Sequence, residues 1–386
     1  MSWENVKIGD CCEITSSKRI FFSEYVETGV PFYRSKEIIE SSNGQAISEP
    51  LFISQEKYDE IKRNFGVPQP GDMLLTSVGT IGVPYIVKES DYFYFKDGNL
   101  TWFRKFKRKL IPQYLYYWVR SAEGQGVLNN TTIGSSQKAL TIASLKGLEI
   151  PCPPVDVQNR IVGILSEYDA LIENNQKQIN LLEEAAQRLY KEWFVDLRFP
   201  GHETAPITDG IPEGWQQLLL EQVAPILTGK KDANFSTEDG QYPFFTCAQA
   251  PLQAPSYSFD CDAVILAGNG DFNVKLYRGQ FEAYQRTYVL SPENKELLFL
   301  LYHAVDNSMA KLAQGASGST IKFLTKGMIA SIPVYVPDEL TLSKFNELSE
   351  AIQRQIEVLK SSVSYATEAR DRLLPKLMNG EIEVSI

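Results

Sequence analysis

Two histidines, His202 and His303, are the only imidazoles among 386 residues, and neither lies beside a serine or cysteine that would make a nucleophile–base pair. Acyl-transfer triad chemistry is therefore disfavoured, and so is a histidine-based metal site. The five cysteines (Cys11, Cys12, Cys152, Cys247 and Cys261) are odd in number and lack the C-x-x-C spacing of a zinc site. Reduced thiols in a cytoplasmic protein are the simplest reading. No G-x-x-x-x-G-K-[ST] loop is present, and Gly268-Asn269-Gly270-Asp271 has too few features for a dinucleotide fingerprint. The acid-Pro-Pro-aromatic box of amino-methyltransferases is missing, and Glu60-Ile61-Lys62 is too short a match to a nuclease tail to carry weight. The sequence thus predicts a chain with no catalytic residue, no metal and no bound cofactor of its own.

What remains is chemistry suited to phosphates and base edges. Lys18-Arg19 and Lys230-Lys231 are dibasic pairs at matching positions, with a solvated loop as the alternative reading of each. Thr76 to Gly82, containing Ser77 and Gly79, and Ala267 to Asp271, containing Asn269, are small-residue loops after strand-like runs. Such loops bring backbone N–H groups and short polar side chains close to a duplex. Tight turns that need small residues explain them equally well. Gln137-Lys138 and Ile321-Lys322 sit in Gly/Ser-rich loops, and Lys138 and Lys322 read as phosphate contacts. Arg104 to Lys109 is the most basic run, but it has no counterpart later in the chain, so a solvated strand end accounts for it as well.

These pairs recur because the chain is a repeat. Trp3, Lys18 and Pro31-Phe32 reappear as Trp215, Lys230 and Pro243-Phe244, all 212 residues on. Lys138, Leu140 and Thr141 reappear as Lys322, Leu324 and Thr325, now 184 residues on. Asp72 and Asp262 are 190 apart, so most of the drop falls between Phe32 and Asp72, and the first copy carries an insertion of roughly Lys36 to Pro70. Each copy opens with short strand-like runs, such as Met73–Thr76, Tyr92–Phe95 and Ala263–Leu266.

Each copy closes in a long helical pattern. Ile161, Leu165, Tyr168, Ile172, Asn175, Ile179, Leu182, Ala186, Leu189 and Trp193 step by fours and threes, which is a heptad seam. The second copy repeats it at Phe345, Ser349, Ile352, Ile356, Leu359, Val363, Ala366, Arg370, Leu373 and Leu377, with flaws at Ser349 and Arg370. An amphipathic helix of this length needs cover for its apolar stripe. The other copy is the expected partner, in an antiparallel coiled coil about a pseudo-twofold axis; packing on its own domain or on another protein is the alternative. Asn175 reads as a polar seam residue that sets register. The expected fold class is α+β: two repeated globular domains, residues 1–154 and 215–337, with helices 155–199 and 338–386 and a Pro/Gly-rich linker at 200–214. His202 falls in the linker as a solvated loop residue. His303, in an apolar helical stretch, reads as a satisfied packing residue.

The net charge of −10 is unevenly spread. Residues 1–154 hold 18 basic and 17 acidic side chains, residues 200–337 hold 9 and 14, and both helices are acidic. That is not the footprint of a protein that grips nucleic acid unaided, so any DNA binding needs partners to neutralise part of the phosphate charge. The apolar run Leu297–Tyr302 is far too short to cross a bilayer, and Met1 to Asn5 lacks a signal segment; a soluble, cytoplasmic chain with no membrane partner is expected.

The order of variable globular part, heptad helix, Pro/Gly linker, variable globular part and heptad helix resembles the specificity subunit of type I restriction–modification systems. Local wording agrees. Trp193-Phe194-Val195-Asp196 closes the first helix, and Ile211-Pro212-Glu213-Gly214-Trp215 opens the second copy. Ile150-Pro151-Cys152-Pro153-Pro154 and Ile332-Pro333-Val334-Tyr335-Val336-Pro337 each lead into a helix. The second helix departs from the pattern by ending Leu377-Met378-Asn379-Gly380. The resemblance implies a non-catalytic reader of double-stranded DNA, each domain taking one half of a gapped site and the coiled coil setting the gap. It also implies two modification subunits that carry S-adenosylmethionine, and restriction subunits that translocate and cut. The stretch Ile161–Trp193 is about 50 Å long at ~1.5 Å per residue, roughly 15 base pairs of duplex.

Overall fold

The computed structural model describes residues 3–45, 47–132, 138–316, 318 and 322–384. Gln137 and Ile321, which the sequence placed beside the two loop lysines, lie outside the described residues. The chain divides into two compact units: residues 1–176 with 361–386, and residues 177–360. The division falls inside both long helices, Val155–Tyr190 and Glu339–Met378.

In the first unit, Met73–Thr76 is buried at every position, as its unbroken apolar run requires of a central strand. It lies between Leu100–Arg104 and Pro84–Ile86 in an antiparallel four-stranded sheet whose other edge is Glu13–Thr15. Alternation sends Met73 and Leu75 into one core and Leu74 into another. The first of these cores also takes Ile161, Leu165, Leu374, Leu377 and Met378, so both long helices help to close it. The second core lies between this sheet and the inserted segment, which forms helix Ser35–Ser42, strand Leu51–Ile53 and helix Gln55–Asn64. Of the expected strand Tyr92–Phe95, only Tyr94–Phe95 pairs, parallel to Val30–Tyr33 in a second small sheet.

The second unit repeats the framework with a longer hairpin at Phe259–Ala267 and Val274–Ala283. Ile226–Thr228, Thr287–Leu290, Phe259–Ala267 and Val274–Ala283 occur in the same order as their counterparts, and Tyr242–Phe245 and Leu252–Ala254 extend the sheet. Gln216–Leu219 pairs with Pro333–Val336 just as Asn5–Lys7 pairs with Glu149–Pro151.

Within each unit the two helix segments run antiparallel. In the first, Asp169 binds Arg370 (2.7 Å), and Asn175 Nδ2 donates to Ser362 Oγ (2.9 Å). In the second, Glu183 pairs with Lys360 (3.1 Å), and Tyr190, Trp193 and Phe194 pack against Phe345. Of the heptad positions, Ile161, Leu165, Ile179, Ile356 and Leu359 are buried; Tyr168, Ile172, Leu182, Leu189, Ile352, Val363 and Leu373 are half-buried. The two flaws differ in kind. Arg370 is neutralised by Asp169 and Asp371, whereas Ser349 is buried with no partner for its hydroxyl among the described residues.

His303 does pack, stacked on Tyr190 in the helix Leu298–Gly315, but its Nδ1 has no hydrogen-bond partner among the described residues. The expectation of a satisfied histidine is corrected there: burial by aromatic neighbours supplies contact without a hydrogen-bond partner for that nitrogen. Burial also pushes its pKa down from 6.5 to about 4. An unfolded chain takes up this proton near pH 6.5 while the folded one resists until about 4. The second unit should therefore keep its full stability above pH 6.5 and lose roughly 3 kcal/mol as the pH falls to 4. Urea melts of His303→Leu across that window should show a flatter pH profile than the parent chain. An equal slope in both would place the proton uptake elsewhere.

Candidate nucleic-acid interface

The residues singled out from sequence converge on one loop junction in each unit. After Met73–Thr76 ends, the Ser77 N–H donates to the Asn99 carbonyl (2.8 Å), and the Ser77 carbonyl accepts from the Leu140 N–H (2.9 Å). In the second unit the Gly268 N–H donates to the Arg286 carbonyl (2.9 Å), and its carbonyl accepts from the Leu324 N–H (2.8 Å). Val78 bridges Ala139, and Asn269 bridges Phe323, in the same antiparallel sense. Three distant segments are thus stitched together by the same backbone hydrogen bonds in both units. Lys138 and Lys322, each two residues before the stitched leucine, are exposed at the edge of the junction.

Glycine is required at Gly268, where a Cβ would collide with the Arg286 carbonyl oxygen and meet the Tyr288 ring. Gly79 is in the left-handed region (φ 79°), open to solvent, and turns the loop back toward Gly82. The Thr76 hydroxyl holds that return by accepting from the Val83 N–H (2.9 Å).

The dibasic pairs border the same junctions. Arg19 Nε donates to Asp97 (2.8 Å), two residues from Asn99, and the Gly98 N–H reaches Ser16 Oγ (3.4 Å). The Lys18 N–H donates to the Tyr94 hydroxyl (2.6 Å), and its ammonium lies 4.7 Å from the centre of the Phe65 ring. In the second unit the Lys231 carbonyl accepts from the Gln285 N–H (3.0 Å), one residue from Arg286. The Lys231 ammonium covers Phe235 at 4.3 Å, while Lys230 is exposed. Each unit therefore presents a dibasic loop, a turn, a small-residue loop and a lysine loop as one cluster.

One expected residue needs correction. Ser77 is buried, and its hydroxyl bonds Thr101 Oγ1 (2.6 Å) and the Leu75 carbonyl (3.2 Å), so it holds the sheet together and cannot face a ligand. Asn269, at the equivalent loop, is half-buried. The basic run Arg104 to Lys109 is largely matched by acids: Glu13 takes Arg104 and Lys105 (2.8 Å for Lys105), and Glu4 takes Lys109 (3.2 Å). Sequence reading missed the exposed Arg286, whose carbonyl anchors the second junction. The only signal was its place immediately before the apolar strand Thr287–Leu290.

A sheet framework built twice, each copy carrying a basic loop cluster and closed by segments of two long helices, defines a repeated α+β protein. The model of the type I restriction modification DNA specificity domain matches residues 1–184 and 212–358, and the chain belongs to that family. It is 38% identical over 176 residues to the type I restriction enzyme EcoDI specificity subunit of Escherichia coli, a match covering 45% of this chain and 39% of that one. It is 25% identical to the type I restriction enzyme MjaIX specificity subunit of Methanocaldococcus jannaschii, covering 99% of this chain and 94% of that one. The crystal structure of a type I restriction–modification S subunit from M. genitalium shares the fold: TM-score 0.62 at 15% identity, covering 100% of this chain and 97% of that one. Among the described residues no helix is long and apolar enough to cross a membrane.

Proposed function

We propose that the chain is the DNA-reading specificity subunit of a type I restriction–modification complex and that it carries no catalysis of its own. The observation that carries this reading is the recurrence of one stitched junction in both units, each edged by an exposed lysine, in a chain of the DNA specificity family. Backbone-stitched loops hold short side chains at fixed positions, as base readout requires, and edge lysines position a phosphate backbone. The junctions differ in side chains: Asn99 occupies the place of Arg286, and only the first unit has the inserted segment. Each unit then reads a different half-site, and the complete site is bipartite and non-palindromic. Modification subunits, two by the expected stoichiometry, supply the methyltransferase chemistry with S-adenosylmethionine and much of the charge neutralisation. Restriction subunits join them, and the complex works in the cytoplasm. The names of the EcoDI and MjaIX relatives support this assignment.

The test combines methylome sequencing with binding at graded salt. Cells carrying the chain and its modification subunit should methylate a gapped, asymmetric motif. Lys138→Ala or Lys322→Ala should weaken binding across all sequences and reduce the salt slope by about one unit. A palindromic motif would refute two different half-sites, and an unchanged slope would remove both lysines from the interface.

A further inference from the structure

Two consecutive phenylalanines stand in water just past the dibasic loop of the first unit. Phe21 is 62% exposed and Phe22 is 87% exposed. Their turn is firmly held, because Ile20 is buried with Phe32, Tyr58 and Tyr94. The Phe21 N–H donates to Glu24 Oε2 (2.7 Å), closing a short 3-10 turn over Phe22–Glu24, and Lys57 binds Glu24 (3.0 Å). The Phe22 ring has an edge contact with Tyr25 at 5.6 Å and is otherwise bare. An anchored turn that keeps two phenyl rings in solvent is a preformed apolar projection, since no described residue covers them.

Two observations say what covers them. The projection begins two residues past Arg19, which is paired with Asp97, and three past the exposed Lys18, so a ligand reaching it passes the Lys18 ammonium, which favours an anionic polymer with apolar faces. The small core that anchors the turn includes no residue of 155–176 or 361–378; the helix segments join a different core. The rings therefore belong to the reading surface and not to the helical part. The second unit lacks the feature. The 212-residue offset carries Phe21 and Phe22 onto Ala233 and Asn234, at its own short 3-10 turn Ala233–Phe235.

We propose that Phe21 and Phe22 form a wedge that enters the duplex at the half-site of the first unit and partly unstacks one base step, while the second unit reads its half-site without one. This rests on the DNA-reading function proposed above. Apolar wedges open a groove at the step that unstacks most easily, so a pyrimidine–purine step is the expected point of entry. The wedge adds indirect readout on one side only, in keeping with the different loops of the two units.

The test uses the full chain with its modification subunit and DNA of the mapped motif. 2-Aminopurine is placed in turn at each half-site position other than the methylated adenine. The parent complex should brighten the probe several-fold at one step of the first half-site and nowhere in the second. Phe21→Ala/Phe22→Ala should abolish that signal and weaken specific binding roughly tenfold, as loss of aromatic stacking on a base does. Phe22→Leu, still apolar, should keep part of both. Unchanged binding with a dark probe in parent and variant would overturn the wedge and leave the reading function intact. Failure of the alanine variant to join its modification subunit without DNA would also overturn it, by making the rings a protein contact. A parent complex with no sequence preference at all would remove the reading function and the wedge together.

Discussion

Seven residues inserted after Gln176, together with seven after Lys360, are expected to lengthen the gap between the methylated half-sites by about three base pairs and to leave the half-site bases unchanged. Both positions lie where the chain passes from one unit to the other. A heptad preserves the seam on each helix, and a rise of ~1.5 Å per residue adds about 10 Å to both. The Asp169–Arg370 and Asn175–Ser362 contacts stay on one side of the insertions, and Glu183–Lys360 stays on the other. The DNA also rotates between the half-sites as they separate, so affinity should fall even where the longer gap is used. A heptad in one helix alone shifts one seam against the other and should abolish site-specific methylation. The measurement is the methylated motif in cells carrying each insertion. An unchanged gap with full activity in the double insertion would show that the helices do not set the spacing.

The second large effect is expected at Asp169, which draws three elements together. Arg370 of the second long helix reaches it at 2.7 Å, the Tyr117 hydroxyl donates to it at 2.7 Å and Arg120 approaches at 3.3 Å. Arg370 is 13% exposed, so removal of Asp169 leaves a largely desolvated guanidinium with Asp371 as its remaining acid among the described residues. Asp169→Ala should cost the first unit about 3 kcal/mol, within the range for breaking a buried pair from one side. Hydrogen exchange is the suitable measurement because it resolves the units. Protection should fall in 112–120, 155–176 and 361–378 and stay unchanged in 259–290. Adding Arg370→Met to Asp169→Ala should recover most of the loss, since the stranded charge then goes as well. A double variant no better than the single one would mean that Asp169 acts through Tyr117 and Arg120 alone.

The contrast between Asp169 and the heptads shows what was legible in the sequence. Periodicity survives in one dimension, so the two helices, the repeat and the inserted segment were all readable from residue spacing. The loops were readable as well, because lysine recurs at fixed offsets within small-residue stretches. The stitching of Ser77 to Asn99 and Leu140 was not, since backbone hydrogen bonds between distant segments leave no residue signature. Ser77 was misjudged for the same reason: a serine after a strand looks like a loop hydroxyl until Thr101 is known to lie across from it. Arg370 looked like a flaw in a seam because its partner sits 201 residues away in the chain. His303 was assigned to packing correctly, but nothing in its neighbours' identities reveals a ring nitrogen without a hydrogen-bond partner among the described residues.

The division of the chain also fixes the order in which it can be completed on a ribosome. The second unit is one continuous stretch, 177–360, and has all its parts once that stretch has emerged. The first unit begins earlier but must wait for Leu374, Leu377 and Met378 to close its core. Domains usually finish from the N-terminus onward, at about 5–20 residues per second. Here the earlier unit finishes last, after a delay on the order of 10–40 s at that rate. Throughout that interval the apolar face of Ile161 and Leu165 has no native cover from the second helix, which leaves the nascent first unit exposed to aggregation.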